Sequence, residues 1–549
     1  MPPICPRRPV FQKKIPLRPA VPRSDRKVCG TMSSPQTASI QTPHYASPST
    51  PRAGARQWLG LATLVLPVVL IAVDMTVLGF AVPHLSEDLA PTSGQLLWIV
   101  DIYAFMLAGL LITMGSVGDR IGRRRLLMIG TAGFGVASAI AAFSVSAEML
   151  IAARALLGLA GATLMPSTLS LIRNLFPNPR QRTLAIAIWA SAFSAGAALG
   201  PIIGGALLEH FFWGSVFLIN LPVVVVILIA MPFLVTESRD PHPGRLDLFS
   251  VLLSLTGMIT AVYGIKKLVE GYLEVLPVAA LLVGVALLAL FVRRQRSLEH
   301  PLLDLRLFAM PRFRAGVSAN FMLVFAMVGS MFFLPQLLQL GYGMSPLHAS
   351  LMLVPGLVIS VAASFLVIPI ARATSLRAVI VGGILIAAAG YAVLILAPVE
   401  AGWAFVMAAF FLIGLGVGMA ETMTNDAVLT SAPADRAGAA SAVSETAYEL
   451  GGALGVAVLG SILAAGYRSG IDAVEGVPAS AMEQASQTLG AAHAASERLS
   501  GSAGTALMDA AREAFVSGVH LTSAIAVAIV VFAAVTVFVM LRGDAARSR

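Results

Sequence analysis

Fourteen stretches of this 549-residue chain are apolar over about 20 residues each, long enough to cross the roughly 30 Å hydrocarbon core of a bilayer as a helix. They lie near 58–83, 96–117, 124–145, 148–173, 183–208, 214–235, 246–267, 274–292, 315–338, 346–371, 376–398, 402–425, 437–466 and 516–541. Inside lipid every backbone N–H and C=O must be satisfied within the protein, so only helices or a closed barrel can span. Barrel strands would be shorter and would alternate apolar with polar residues. These segments do neither. The expected fold is therefore an all-α integral membrane protein with 14 transmembrane helices. The chain is only 12% charged, where a soluble domain carries about 25%.

The basic residues set an expected orientation. Of 37 Lys and Arg, 21 fall after even-numbered spans. Only five, Lys266, Lys267, Arg468, Arg498 and Arg512, fall on the other side. Lys/Arg excess marks the cytoplasmic face, so both termini are expected in the cytoplasm. The net charge of +9 then reflects topology and anionic lipid, and nucleic acid is not an expected partner. Residues 1–56 are Pro-rich and basic without apolar periodicity, and a disordered cytoplasmic tail is expected there. Met32 is an alternative translation start. Cys5 and Cys29 both lie in this tail, so no Cys-based metal site or disulfide framework is expected in the rest of the chain. The eight histidines fall in loops or at helix ends without metal-site spacing. There is no G-x-x-x-x-G-K-[ST] segment, which argues against ATP hydrolysis. One long outer loop, 467–513, ends in GTALMDAAREAFVSG, with Leu507, Met508, Ala511 and Phe515 at helical spacing. A short amphipathic helix or hairpin is expected there, outside the membrane.

The chain also repeats itself. RIGRRRLLMIG (120–130) echoes RATSLRAVIVG (372–382), GLAGATLMPSTLSLIRNLFPNPR (158–180) echoes GLGVGMAETMTNDAVLTSAPADR (414–436), and SAGAALG (194–200) echoes ELGGALG (449–455). The matches keep their order at a nearly constant offset. Residues 57–235 and 313–543 are thus two parallel six-helix bundles, with 236–312 holding two inserted helices and a loop. Parallel repeats of this kind build transporters that rock about a site at their interface. The halves differ in their acids: Asp119 aligns with Ala371, Met165 with Glu421, and Ser194 with Glu449.

Ionisable residues inside the spans stand out because each is costly to bury, about 2.5–3.5 kcal/mol on insertion scales. Asp74 sits in LPVVLIAVDMTVLGFAV with no basic neighbour. Asp101 lies about five residues into span 2, where capping and function are both open readings. Arg154 lies about six residues into span 4, and either snorkels to the outer interface or pairs with an acid or carbonyl. Glu421, Glu445 and Glu449 add three acids in the second half. Glu445 and Glu449 are four apart, hence on one helix face. Two carboxylates so close cannot both ionise cheaply in a low dielectric, so the pair is expected to hold a proton. A buried carboxylate can be neutralised by a proton or by a cationic ligand. If the two compete, proton entry drives cation exit, and Asp74 is expected to be such a shared site. Tyr103, Trp189, Phe193 and Tyr448, with Trp98 and Phe105, are either cavity aromatics for flat cations or ordinary packing.

The motifs resemble the major facilitator superfamily over nearly the whole of residues 57–541. GSVGDRIGRRRLL (115–127) is similar to the family's loop 2–3 signature, with Gly115, Gly118, Asp119, Arg120, Gly122 and Arg123 in place. LIAARALLGLAGA (150–162) resembles its span-4 signature, including Arg154. GAALGPIIGGALLE (196–209) resembles the span-5 signature of the family's antiporters, with Gly196, Gly200, Pro201 and Gly204. VDMTVLGFAVP (73–83) resembles the span-1 signature of fourteen-span drug:proton antiporters, with Gly79 where Asn is common.

The resemblance implies a proton-coupled exporter of lipophilic cations (quaternary ammonium compounds, dyes, biguanides, fluoroquinolones) in a bacterial cytoplasmic membrane. It implies no cofactor, only the proton gradient, with protons, small cationic substrates and the bilayer as partners. It also implies gating for the loop around Asp119, a kink at Pro201 that distinguishes exporters, and proton handling for Arg154. On the residues alone, Asp119 is suited to bond neighbouring helix-end donors and latch two helices, topology alone and gating are both open readings for Arg123 to Arg125, and the glycines at 196–204 suit close helix packing. A proton-driven nutrient symporter is the main rival, and a membrane receptor or enzyme a more distant one.

Overall fold

In the computed structural model, the described residues are 53–239, 247–269, 274–298, 301, 305–400, 402–431, 437–471, 474–499 and 502–542. Cys5, Cys29, Met32 and nearly all of the basic tail lie outside them. The tail gives way to helix earlier than expected: α1 spans Ala55–Leu89, and Arg56 Nη2 donates to Phe233 O at 2.8 Å.

The first half continues with α2 (Ser93–Ile121), α3 (Arg123–Ala142), α4 (Ala147–Leu175), α5 (Pro179–His210), the single turn α6 (Ser215–Leu218) and α7 (Asn220–Leu234). The inserted pair is α8 (Leu248–Val269) and α9 (Val275–Ser297). The second half comprises α10 (Pro311–Gln336), α11 (Pro346–Ala373), α12 (Leu376–Ile395), α13 (Trp403–Ser431), α14 (Ala437–Gly470), the short α15 (Ala479–Ala485) and α16 (Leu489–Arg498), and α17 (Ser502–Met540). Fourteen of these units are long and apolar enough to cross a membrane, α6 and α7 counting together. Starts were legible where Ser, Thr or Asn precedes the helix. Thr92 accepts from Gln95 N at 3.2 Å while Gln95 Oε1 accepts from Thr92 N at 2.9 Å, a capping box.

The packing reproduces the repeat. α1 packs on α5 and α10 on α14; α3 packs on α4 and α12 on α13; α2 packs on α4 and α11 on α13. The halves meet where α2 lies against α14 and α5 against α11. Under the repeat α2 corresponds to α11 and α5 to α14, so these are one contact used twice. Hydrogen bonds between the halves, among the described residues, lie at the end away from the Arg-rich loops. Gln339 donates to Phe80 O at 3.1 Å, Ser345 to Glu209 at 3.2 Å, and Ser93 to Gln487 O. Gly205 permits this closure, since a Cβ there would lie 2.7 Å from Ser350 Oγ and 2.9 Å from Leu347 Cα.

The outer segment differs from expectation. Residues 507–515 do not form a separate helix. They are the first turns of α17, which at 39 residues and 1.5 Å per residue is far longer than a 30 Å core requires. Leu507, Ala511, Phe515, Val519, Ala526 and Val530 are all buried along it, so one apolar stripe runs through both parts. The hairpin is instead α15 and α16, held by Tyr467, whose hydroxyl donates to Ala485 O at 2.8 Å.

The inserted pair is tied at its Arg-rich end. Arg294 Nε and Nη2 each donate to Asp247 at 3.1 Å, and Ser250 N donates to it at 3.2 Å. Burial alone would push the Asp247 carboxyl up, but the bonds from Arg294 and Ser250 outweigh it and hold the group below its ordinary range. A carboxyl depressed in the folded state stabilises above its unfolded pKa and loses that contribution as pH falls through the folded value. Asp247→Asn is therefore expected to lower the melting temperature in detergent at pH 7. The gap from the native chain should close as pH falls below about 4, which thermal unfolding across pH tests.

Candidate functional site

The charge in the middle of α1 is not unpaired. Arg154 Nη1 on α4 lies 2.7 Å from Asp74 Oδ2, and the two side chains are 3% and 0% exposed. Arg154 Nε also donates to Ile99 O at 3.2 Å, and its guanidinium lies 4.5 Å from the centre of the Tyr103 ring. Pairing, not snorkelling, is the arrangement of Arg154. The second Asp74 oxygen accepts from Asn220 Nδ2 at 3.3 Å, and the same amide contacts Ser138 Oγ at 3.1 Å. Asn220 is the first residue of α7, preceded by Ile219 with helical dihedrals (φ −59°, ψ −23°). Its signal was available: a lone amide in the apolar run FLINLPVVVV. With both oxygens engaged and no exposure, Asp74 is closed to a substrate cation in this conformation.

Asp101 is not a helix cap. Thr92 caps α2, and Asp101 is 1% exposed. Its Oδ2 lies 2.6 Å from Lys266 Nζ. Lys266 is likewise not a loop residue on the outer side, as its placement after span 7 suggested; it lies within α8 and is 2% exposed.

The second-half acids are arranged differently. Glu449 is 1% exposed and neither of its oxygens has a hydrogen-bond partner. Glu445, one turn earlier on α14, and Glu421 on α13 are half-buried. Glu421 and Glu449 both lie within electrostatic range of Glu445. Among the described residues no Lys or Arg pairs with any of the three, whereas both first-half acids have a basic partner. Tyr103 bridges the two sets, within range of Asp74 and Arg154 on one side and Glu449 on the other. Its hydroxyl, too, is buried without a partner.

A cavity of about 170 Å³ lies between the halves beside these groups. Tyr103, Phe193 and Tyr448 line it as expected, and so do Asp101 and Arg154. The sequence did not single out Met75, Met327, Met331, Phe80, Phe332 or Phe410, which add aromatic and thioether surface to a wall otherwise made largely of small and aliphatic residues. Trp189 is not part of it; its indole N–H donates to Thr168 Oγ1 on α4 at 3.1 Å. Trp98 and Phe105 pack together in the seam of α2, α8 and α14 instead.

The loop around Asp119 is a tight connection between α2 and α3. Gly115 and Gly118 sit close to Pro166 and Leu126, and Arg120 ends α2. Asp119 pairs with Arg123 at 2.7 Å, within the same loop. Arg123 is the first residue of α3, so Asp119, in the last turn of α2, bonds a donor at the neighbouring helix end as expected; a second contact on α3 is made by Glu237, after α7. Glu237 accepts the backbone N–H of Arg124 at 3.0 Å and of Arg125 at 3.1 Å, so a carboxylate caps the N-terminus of α3, where the helix dipole favours it. Gly122 makes the fit possible. Its φ is +110°, and a Cβ would lie 2.7 Å from the Glu237 carboxyl carbon. Gly122→Ala is expected to cost about 1–3 kcal/mol from backbone strain and lost capping, read as a lower melting temperature in detergent. A value unchanged from the native chain would contradict the fit.

The glycines of α5 face α1. A Cβ at Gly196, Gly200 or Gly204 would lie 2.9 Å from Ala72, 1.9 Å from Thr76 or 2.5 Å from Val77. Close helix packing is thus a direct use of this run. Pro201 lies inside α5, which continues past it to His210.

The model of the Major Facilitator Superfamily matches residues 64–456. The chain is 48% identical over 496 residues to the multidrug efflux pump LfrA of Mycolicibacterium smegmatis, covering 90% of this chain and 98% of the relative. It is 37% identical over 462 residues to the methyl viologen resistance protein SmvA of Salmonella typhimurium, covering 84% and 93%. Among solved structures, a bacterial homologue of the human lysosomal transporter Spinster, in an inward-facing and unoccupied conformation, superposes with a TM-score of 0.63 at 18% identity, covering 89% of this chain and 98% of that one; that likeness concerns the fold alone.

Proposed function

The chain belongs to the Major Facilitator Superfamily, and from that premise we propose that it is a proton-coupled multidrug exporter of a bacterial cytoplasmic membrane, with both termini in the cytoplasm. The observation that carries the reading is the contrast between the two halves. Asp74 and Asp101 are neutralised by resident bases, while Glu421, Glu445 and Glu449 have none among the described residues and lie within electrostatic range of Tyr448, which lines the aromatic and thioether-bearing cavity. Apolar and aromatic surface takes flat lipophilic bodies, and unpaired carboxylates take a positive charge or a proton. With the termini inside, the closed end faces outward, so the cavity stands in its cytoplasm-accessible state. A cation entering there meets protonated acids and displaces a proton. After the halves rock, protons arriving from outside displace the cation, and the protonated site returns. No covalent chemistry or cofactor is needed in such a cycle.

Export as stated predicts that purified protein in proteoliposomes extrudes a monovalent cationic dye, such as ethidium, only under an imposed pH gradient. Dye movement should stop when the gradient is dissipated by an uncoupler. Movement of dye in the same direction as protons would instead indicate symport.

A further inference from the structure

The inserted helices have no counterpart in the six-helix repeat, yet α8 is not peripheral. It packs against both α2 and α14, the helices through which the two halves touch on one side. Met258 and Val262 of α8 share an apolar cluster with Phe105 of α2 and Ala453 and Ala457 of α14. The approach to α2 is close enough that a Cβ on Gly109 would fall 2.2 Å from Leu255 Cδ2. From this position α8 delivers one charge. Lys266 Nζ sits 2.6 Å from Asp101 and 4.3 Å from the centre of the Trp98 ring. Asp101 itself lines the cavity, whereas Lys266 does not; the ammonium reaches the carboxylate from behind, through the wall.

We propose that Lys266 is a tethered counter-cation that holds Asp101 in reserve, so that the carboxylate becomes a second cation subsite only for a ligand able to displace the ammonium. The reasoning is electrostatic. A carboxylate facing an apolar cavity would attract any lipophilic cation, including a monovalent one already served by the second-half acids. With Lys266 in place the pair is neutral, and the gain from a new cation must exceed the loss of a short, buried ion pair. A monovalent ligand bound near Glu445 and Glu449 has no charge left to offer. A dication does, at its other end. Once displaced, Lys266 has somewhere to go: it lies three residues from the end of α8, and a lysine so placed can extend its stem to the interface. The inserted helices would thereby set how strongly the cavity discriminates ligands by charge number. This inference rests on the cation-export reading above.

The test is equilibrium binding to the full chain in lipid nanodiscs, which requires no coupling to protons. The probes are tetraphenylphosphonium, a monovalent lipophilic cation, and methyl viologen, a dication. Lys266→Met keeps most of the side chain's length and removes its charge, and should raise the ratio of dication to monocation affinity by about tenfold. Lys266→Arg keeps the ion pair and can hold the carboxylate with two hydrogen bonds, so it should lower the same ratio. It also serves if the methionine variant does not fold. Asp101→Asn/Lys266→Met removes the subsite altogether, and its ratio should not exceed that of the native chain. Ratios unchanged in both Lys266 variants would overturn the proposal while leaving cation export intact. Failure of the native chain to bind either probe would overturn both.

Discussion

Asp74→Asn is expected to abolish export, and for a reason beyond the loss of a titratable group. The variant leaves Arg154 charged, 2% exposed, and deprived of its carboxylate. Breaking a buried ion pair by removing one partner typically costs about 3–5 kcal/mol, because the remaining charge stays desolvated. Little of that can be relieved locally. The Ile99 carbonyl and the Tyr103 ring are the other groups on the guanidinium, and the single amide oxygen of the variant would have to serve both Arg154 and Asn220, which each have a carboxylate oxygen in the native chain. The expected result is a sharp drop in folded protein recovered from the membrane, together with loss of transport. Asp74→Asn/Arg154→Gln removes both charges and should recover most of the folded yield, because a neutral polar pair is far cheaper to bury than a lone ion. It should not recover export if the pair is needed to hold α1 and α4 in register during rocking. Size-exclusion yield and dye transport, measured on the same preparations, separate the two effects. A single variant that folds as well as the native chain would contradict the ion-pair geometry.

Glu445→Gln/Glu449→Gln should behave in the opposite manner: normal folding and no coupling. Neither acid is held by a base, and Glu449 makes no hydrogen bond that the amide would break. A glutamine is no costlier to bury there than a protonated acid. Each single variant leaves one titratable carboxylate on the same helix face, so partial coupling should survive, with dications affected more than monocations. The double variant leaves Glu421 alone on α13, and substrate-linked proton exchange should fall at least tenfold. Complete loss in both single variants would mean that the two act only as a unit.

How much of this could be read from the sequence depended on distance along the chain. The fourteen spans, the repeat and the presence of a basic residue needing a partner were local facts, and they carried over to the structure. The partner of Arg154 was not local. Asp74 lies 80 residues away, and several acids were equally eligible until the helices were packed. Lys266, near the end of an apolar run, reads in sequence as a loop charge. Only the approach of α8 to α2 shows that it points into the protein. Asn220 and Glu237 were passed over for the same reason: each acts on a helix that sequence does not bring near. The segment at 507–515, where the spacing predicts a short amphipathic helix or a hairpin, is helical, but its stripe continues in phase into the last span, so no break separates them. Trp189 had the right composition for a cavity and the wrong face of α5.

The difference between the two halves, paired acids in one and unpaired acids in the other, is best tested by counting protons. Purified protein in weakly buffered detergent, given saturating tetraphenylphosphonium, should release protons in a ratio to bound cation that the native chain and Asp101→Asn/Lys266→Met, which removes both members of that buried pair, share. In Glu445→Gln/Glu449→Gln that release should vanish while the protein remains folded. Native proton release from this double variant would place the exchange elsewhere and contradict the assignment of coupling to the second half.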